Sequence, residues 1–376
     1  MDARPTGADL AFCGPHILTG NLMNRPLTDT PDCSAIVVSY NVAAYLRRCL
    51  ESLDAEYARS GIRGQTIVVD NASADGSADV VASQFPHVRL IRAPRNEGFA
   101  AGCARGLAAS RAPRLLWLNP DADLRPGALS ALQKCLDHHP QAAVAVPLLT
   151  DAAGQVQHSR RRFPRLATLF AESTAVQWWW PQCPLLQGYY LEDRPVQAAG
   201  PVDWATGACW LVRRTALEQV GGLDRRFFMY FEELDQGLRL AAAGWHIRYE
   251  PAARVRHHGS RSADQHLLGR DLYFHQSKYQ FAHKWWGRLA AVALRSFVAA
   301  TILGQLGEEA AKWLVATAAR QRHAQRLAIL APLLSWHITG RAPPASAAQG
   351  ATASHQPPLV TQRGQRVRGD SCGSAS

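Results

Sequence analysis

Short apolar runs that each end in an acid or an amide constrain this chain more than any other feature. Leu115-Leu116-Trp117-Leu118 breaks off at Asn119-Pro120-Asp121-Ala122-Asp123. Ser34-Ala35-Ile36-Val37-Val38-Ser39 ends at Tyr40-Asn41, and Thr66-Ile67-Val68-Val69 ends at Asp70-Asn71. Near-continuous apolar runs of this length are how strands buried on both faces of a parallel sheet read. A helical face formed by Leu46, Cys49, Leu50 and Leu53 stands between the first two runs. Val88-Arg89-Leu90-Ile91 reads as a further strand, and Asn96-Glu97-Gly98-Phe99-Ala100-Ala101-Gly102-Cys103 as a glycine-bearing turn opening a helix. Strands alternating with helices predict an α/β fold with a doubly wound, mostly parallel sheet flanked by helices and right-handed crossovers. Ser77 is expected to cap the helix that follows the second run.

Ligands of such sheets gather outside the carboxyl ends of the strands. The polar endings then share one edge. Tyr40-Asn41 and Asp70-Asn71 suit a base and ribose, and the Asp121/Asp123 pair suits a hard cation that grips phosphate oxygens. Taken singly, Asp-x-Asp is an acidic turn and Asp70 a turn residue; three polar strand ends on one edge weigh against both readings. No Gly-x-Gly-x-x-Gly follows the first strand and no Gly-x-x-x-x-Gly-Lys-[Ser/Thr] occurs, which disfavours dinucleotide-binding and P-loop folds. The eight cysteines form no Cys-x-x-Cys pair, so zinc is not expected and a reducing compartment is. Positions 1–31 hold no continuous apolar stretch of the kind a signal peptide needs. A formal net charge of +11 points to an anionic partner, whether nucleotide phosphates, nucleic acid or an acidic membrane surface, although a solvated basic face explains part of it.

Residues 151–200 read as a loop-rich insertion with a basic run, Arg160-Arg161-Arg162, and an aromatic run, Trp178-Trp179-Trp180, suited to an acceptor, a membrane interface or simple packing. Val202–Arg214 is strand-like with a polar, glycine-containing centre. Phe227-Phe228-Met229-Tyr230-Phe231-Glu232-Glu233-Leu234-Asp235 places three acids at the entry of a helix whose apolar face includes Leu234, Leu238 and Ala241. The helix dipole favours acids there whatever their function. Aromatic walls, however, desolvate a carboxylate and raise its proton affinity, as a general base requires. Val255-Arg256-His257-His258-Gly259 follows. Further on, Lys284-Trp285-Trp286-Gly287-Arg288 precedes Leu289–Leu303, an apolar run with only Arg295 as a charge. It is short of the ~20 residues that span a bilayer, so it reads as an interfacial helix or a packed appendage.

In these motifs, over residues 34–260 and in family order, the chain resembles glycosyltransferase family 2, with the rhamnosyltransferases its nearest likeness. The resemblance implies a GT-A fold with a helical C-terminal extension. It also implies inverting transfer from a nucleotide-diphospho-sugar, dTDP-rhamnose being the first candidate, to a glycan or lipid-linked acceptor in cell-surface polysaccharide synthesis. By the same resemblance Ser39, Tyr40, Asn41, Asp70, Asn96, Gly98 and Asp121 contact the nucleotide sugar. Asp123 holds Mg2+ or Mn2+ with His257 beside it, and Glu233 is the base. Glu232, Asp235 and Trp204 are further catalytic or acceptor candidates. The family commonly has Glu-Asp at the base position where this chain has Glu232-Glu233, which moves the carboxylate by one methylene. A nucleotidyltransferase and an inactive nucleotide-sugar-binding protein stay open as alternatives. The implied partners are donor, acceptor and the inner-membrane surface, with no nucleic acid, and the implied location is the cytoplasm or its membrane face. The expected divisions are a disordered extension (1–31), the catalytic domain (32–265), a helical region (266–340) and a disordered tail (341–376).

Overall fold

The computed structural model describes residues 30–172, 174–180, 182–259, 267–315 and 319–341. The expected extension, up to residue 29, and the expected tail, from residue 342, lie outside the described residues. The first half alternates β1 (Cys33–Ser39), α1 (Ala43–Ser60), β2 (Gly64–Asp70), α2 (Ser77–Gln84), β3 (Arg89–Arg92), α3 (Phe99–Ala109) and β4 (Arg114–Leu118). β1 pairs in parallel with β2 and β4, and β2 with β3. Ser39 stands opposite Asp70 and Val37 opposite Leu118, so the three polar strand ends finish almost flush.

Alternate residues of β1 serve opposite faces, as a pleated strand must. Ala35 and Val37 pack with Leu46, Leu50 and Leu53 of α1 and Val81 of α2. Ile36 and Val38 pack with Ala100 and Cys103 of α3. Helices therefore cover both faces, as the doubly wound reading requires.

β5 (Ala122–Leu124), α4 (Ala128–His138), β6 (Ala142–Thr150), β7 (Val156–Gln157), β8 (Arg160–Arg161), α5 (Leu166–Ala171), α6 (Ala175–Trp179), α7 (Pro184–Tyr189), β9 (Gly200–Val202), β10 (Trp204–Ala205), β11 (Cys209–Arg213), α8 (Arg214–Val220), α9 (Glu232–Ala242) and β12 (His246–His257) follow. The main sheet runs β3-β2-β1-β4-β11-β6-β12-β5. Its first four strands are parallel; β11 enters antiparallel between β4 and β6, so the sheet as a whole is mixed. β5 pairs antiparallel with β12, setting Asp123 opposite Arg256 and Ala122 opposite His257. That pairing returns the His257-His258 segment to the acids that end β4.

Two expectations are corrected. Ser77 is not the cap of α2: Gly76 is, with φ 83°. The Ser77 hydroxyl instead accepts the Val42 N–H at 3.2 Å and donates to Asp75, tying the start of α1 to the loop after β2. The helix that carries the apolar run Leu289–Leu303 is also longer than the fifteen residues of the run itself. α10 (Leu267–Val315) breaks at Gly287 (φ 83°, ψ 176°), and its second segment runs on to Val315 before α11 (Arg320–Thr339). Leu294, Val298 and Ile302 from one face of that segment join Phe227, Phe231 and Phe281 in a third core. Leu289 and Leu303, on other faces of the same segment, are 86% and 61% exposed. α10 is long and apolar enough to cross a membrane by length and composition.

Candidate active site

The nucleotide end is built from the carboxyl ends of β1 and β2. Asp70 is buried; one carboxylate oxygen accepts the Ser73 N–H at 3.0 Å and the other has no partner among the described residues. The Ser39 hydroxyl and the Asn71 side-chain oxygen are likewise buried and unpartnered. Such groups are costly to leave unmade, and their clustering marks a place where a polar ligand completes them. Asn41, with φ 52°, accepts the Ala74 N–H at 2.7 Å, so its side chain braces the loop after β2; Tyr40 precedes it at the end of β1. Asn96 accepts the Gly98 N–H at 3.0 Å, and Asn71 Nδ2 donates to the Gly98 carbonyl at 3.1 Å. These bonds pin the glycine turn beside the end of β2.

Asp121 and Asp123 are both buried at the turn into β5. Asp123 Oδ2 is held by Arg48 of α1 at 2.8 Å and by His258 Nε2 at 2.9 Å. Asp123 Oδ1 is buried without a partner among the described residues. Gln157 Nε2 donates to the His257 carbonyl at 2.9 Å, so Gln157 Oε1, 3.0 Å from His257 Nδ1, must accept from it. In the neutral imidazole that bond places the ring proton on Nδ1 and leaves a lone pair on Nε2, as an orienting partner does for a metal-binding histidine. His257 Nε2 faces Asp121 Oδ1 at 3.5 Å and makes no hydrogen bond. Two acceptors facing each other, with an open carboxylate oxygen nearby in sequence, are the donor chemistry of a cation site. Among the described residues no three His, Cys, Asp or Glu side chains form a closed metal cage. The residues fit a Mg2+- or Mn2+-type cation held by one or two carboxylates and completed by substrate oxygens.

The third part is the entry of α9. Tyr230 and Phe231 are both left-handed, at φ 69° and 66°. Bulky residues avoid this region, at about 1–3 kcal/mol each. Ring contacts of Phe231 with Phe274 and Phe281, at centroid distances of 5.4 Å, hold the turn in place. The turn presents Glu232 and Glu233 on the first turn of the helix. Each has a buried carboxylate oxygen without a partner among the described residues. Burial raises the proton affinity of Glu233, against the backbone N–H groups of Glu233 and Gly207 and the Arg161 guanidinium, which lower it. Glu232 is raised further, by burial first and by the Glu233 charge second. A Cβ placed on Gly207 would sit 3.7 Å from Glu233 Cβ, so Gly207 lines the approach to Glu233.

The remaining candidates sit elsewhere. Asp235 is fully buried and bonded to Arg239 at 2.9 Å, Lys284 at 2.5 Å and Trp285 Nε1 at 3.1 Å. It clamps α9 to α10, and its oxygens are taken. The Trp204 indole donates to the Arg162 carbonyl at 3.0 Å and packs beside Tyr189, bordering α9 at Gly237. Arg48 and His258 touch the acids and were not singled out by sequence reasoning. Arg48 lies on the solvent side of α1's apolar repeat, and nothing local marks it. His258 had one available signal, its place next to His257.

The model of the family described as Glycosyl transferase family 2 matches residues 34–221. The N-acetylglucosaminyl-diphospho-decaprenol L-rhamnosyltransferase of Mycobacterium tuberculosis (strain ATCC 25618 / H37Rv) is 33% identical over 267 residues, covering 67% of this chain and 85% of that protein. The chain belongs to glycosyl transferase family 2. This glycosyltransferase is also similar to rhamnosyltransferase WbbL of Escherichia coli (strain K12), at 28% identity over 39% of this chain and 54% of that one. Among solved structures, the mannosyltransferase PcManGT from Pyrobaculum calidifontis in complex with GDP-Man and Mn2+ matches at TM-score 0.44 and 17% identity, over 83% of this chain and 88% of that one. The sheet and helices of the glycosyltransferase form the GT-A arrangement that the resemblance implied.

Proposed function

We propose that the glycosyltransferase is a metal-dependent, inverting enzyme of the cytoplasmic membrane face. It moves a hexose, rhamnose first among candidates, from a nucleotide-diphospho-sugar to a hydroxyl of a lipid-linked or glycan acceptor in cell-surface polysaccharide synthesis. The observation that carries this reading is the pairing of two unlike sites: buried, unpartnered donor atoms at Asp123 Oδ1 and His257 Nε2 beside Asp121, and a carboxylate oxygen of Glu233 buried without a partner among the described residues. The relatives' printed names, both rhamnosyltransferases and one acting on a diphospho-decaprenol, support the sugar and the acceptor class.

Asp70, Asn71 and Ser39 bind the base and ribose through their unmade hydrogen bonds. Asp123, Asp121 and His257 would hold the cation, which supplies positive charge against the diphosphate as it departs. Glu233 accepts the proton of the acceptor hydroxyl. The hydroxyl oxygen bonds to the anomeric carbon as the bond from that carbon to the phosphate oxygen breaks, and the nucleoside diphosphate leaves with the electron pair. One displacement inverts the centre. Burial raises the proton affinity of Glu233, as a general base working near neutral pH requires.

The test is transfer. Purified protein is given a panel of nucleotide sugars and a synthetic lipid-diphosphate-linked sugar, with and without Mg2+ or Mn2+. Product anomers are read by NMR. A retained anomeric configuration would overturn the inverting reading, and equal turnover in excess chelator would overturn the metal.

A further inference from the structure

The basic run Arg160-Arg161-Arg162 divides three ways. Arg162 is exposed and pairs with Asp193 at 3.1 Å. Arg160 turns to the main sheet, where its guanidinium lies 4.7 Å from the centre of the Tyr249 ring and bonds the carbonyls of Arg194 and Pro195. Arg161 takes the other face. It is 6% exposed, stacks over Tyr190 at 4.5 Å, and bonds the main-chain carbonyls of His158 and Arg160. Among the described residues no carboxylate lies within ion-pair distance of it. A buried charge without a counter-charge is costly.

The fold aims that charge at the base. β8 pairs antiparallel with β10, with Arg161 opposite Trp204, and directly opposed side chains share a face of the ladder. A Cβ on Gly237 of α9 would stand 3.2 Å from Trp204 Cβ, so this face lies on α9. Gly237 is four residues beyond Glu233, one turn along the same side of the helix. The chain leaving β10 then passes Glu233 itself, with Gly207 bordering it. Burial has the largest effect on the proton affinity of Glu233 and raises it; among the groups that lower it, Arg161 is the charged side chain.

The other charges around Glu233 are engaged or of like sign. Glu232 precedes it on α9, and Asp235 is held by Arg239 and Lys284. Glu172, after α5, has Lys278 of α10 at 3.6 Å, and the Asp203 carboxylate accepts the Phe163 N–H at 2.7 Å. Burial holds the phenol of Tyr189 well above its usual range, so that ring stays neutral, and His158 before β8 is exposed. Arg161 is the counter-charge left for Glu233. Its own partners, a ring and two carbonyls, fix the guanidinium without neutralising it.

We propose that Arg161 is a positioning residue for the base: its guanidinium holds the Glu233 carboxylate ionised, ready to accept the proton of the acceptor hydroxyl. The inference rests on the reading of Glu233 as that base.

Two measurements on Arg161→Met and Arg161→Lys test it. The first is the pH profile of kcat/KM for sugar transfer. Without the cation the acidic limb should move up by about one pH unit, and with lysine it should stay near the parent's. A rate lowered by the same factor at every pH, or a lysine limb displaced as far as the methionine one, overturns the proposal. The second needs no turnover. A raised carboxylate loses its stabilising contribution as pH rises through its folded value, so the fall in Tm between about pH 5 and pH 8 should be larger in Arg161→Met than in the parent. That excess should vanish in Arg161→Met/Glu233→Gln, and an excess that persists there overturns the proposal. If Arg161→Met alone does not fold, the double variant is expected to, because it leaves neither buried charge alone; its failure as well overturns the proposal. Failure of the catalytic reading appears separately, as absence of sugar transfer by the parent, and leaves the melting comparison intact.

Discussion

Gly98 lies directly against the carbonyl of Phe228: a Cβ at Gly98 would stand 2.3 Å from that oxygen, and the Phe99 N–H donates to it at 2.8 Å. Through this contact the turn beside the end of β2 is locked to the aromatic segment that delivers Glu233. Donor end and base are thus positioned by one backbone junction.

Gly98→Ala should therefore damage catalysis out of proportion to its size. The position has φ 85°, which only glycine adopts freely, and the added methyl meets backbone and not a side chain that can swing away. A shift near 1 Å at the junction is expected to lower kcat/KM about 100-fold. A variant within threefold of the parent, with unchanged structure, would refute the coupling.

Asp123→Ala should lose at least about 100-fold in kcat, the scale of removing one electrostatic stabiliser of a leaving group. Isothermal titration with Mn2+ and nucleoside diphosphate should show the cation no longer binding. Arg48→Ala removes one of the two partners of Asp123 Oδ2, His258 being the other, and should tighten Mn2+ binding, whereas loss of binding there would mean that Arg48 supports the site instead.

Glu233→Gln should lower turnover by about 10²–10⁴-fold while nucleotide affinity holds. Glu232→Gln should be milder, and Glu233→Asp should retain most activity. Because burial raises the proton affinity of Glu233, the parent's rate should fall on acidification at a higher pH than an ordinary carboxylate gives. The sign for stability is the reverse of a salt-bridged acid. A raised carboxylate stabilises the fold below its unfolded pKa, and that contribution is lost as pH rises through the folded value. At pH 7 either Gln variant should then melt at or above the parent's Tm; a clear drop would show that these acids are structurally required.

Asp235→Ala leaves Lys284 and Arg239 without the carboxylate that joins them, and should cost about 3 kcal/mol of stability in urea unfolding. Removing a catalytic group would instead abolish turnover and leave the denaturation midpoint where it was.

Replacing Leu289, Leu303 and Leu314 together by Gln should reduce sedimentation with anionic liposomes more than about tenfold, at roughly 1.5–3 kcal/mol per leucine withdrawn from lipid. The substitutions leave Leu294 and Val298 in the third core, which a truncation after residue 284 would tear out. Unaltered sedimentation would remove the membrane assignment.

Strand existence, strand ends and the acid-bearing helix were legible in the sequence because each is a local pattern. A strand buried on both faces must be apolar throughout, and its polar stop marks the ligand edge; Asp70, Asp121 and Asp123 stand at such stops. Helical spacing likewise exposed Leu46, Leu50 and Leu53. What tertiary structure decided is non-local. β11 enters antiparallel beside β4 although ninety residues of chain intervene, a choice made by sheet pairing and absent from either segment alone. Arg48 meets Asp123 across 75 residues, and His258 meets it across 135. Asp235 reads in sequence as one of three equivalent acids at a helix entry. Only the packing of α10 takes it for Lys284 and Trp285, and leaves Glu232 and Glu233 with unmade hydrogen bonds.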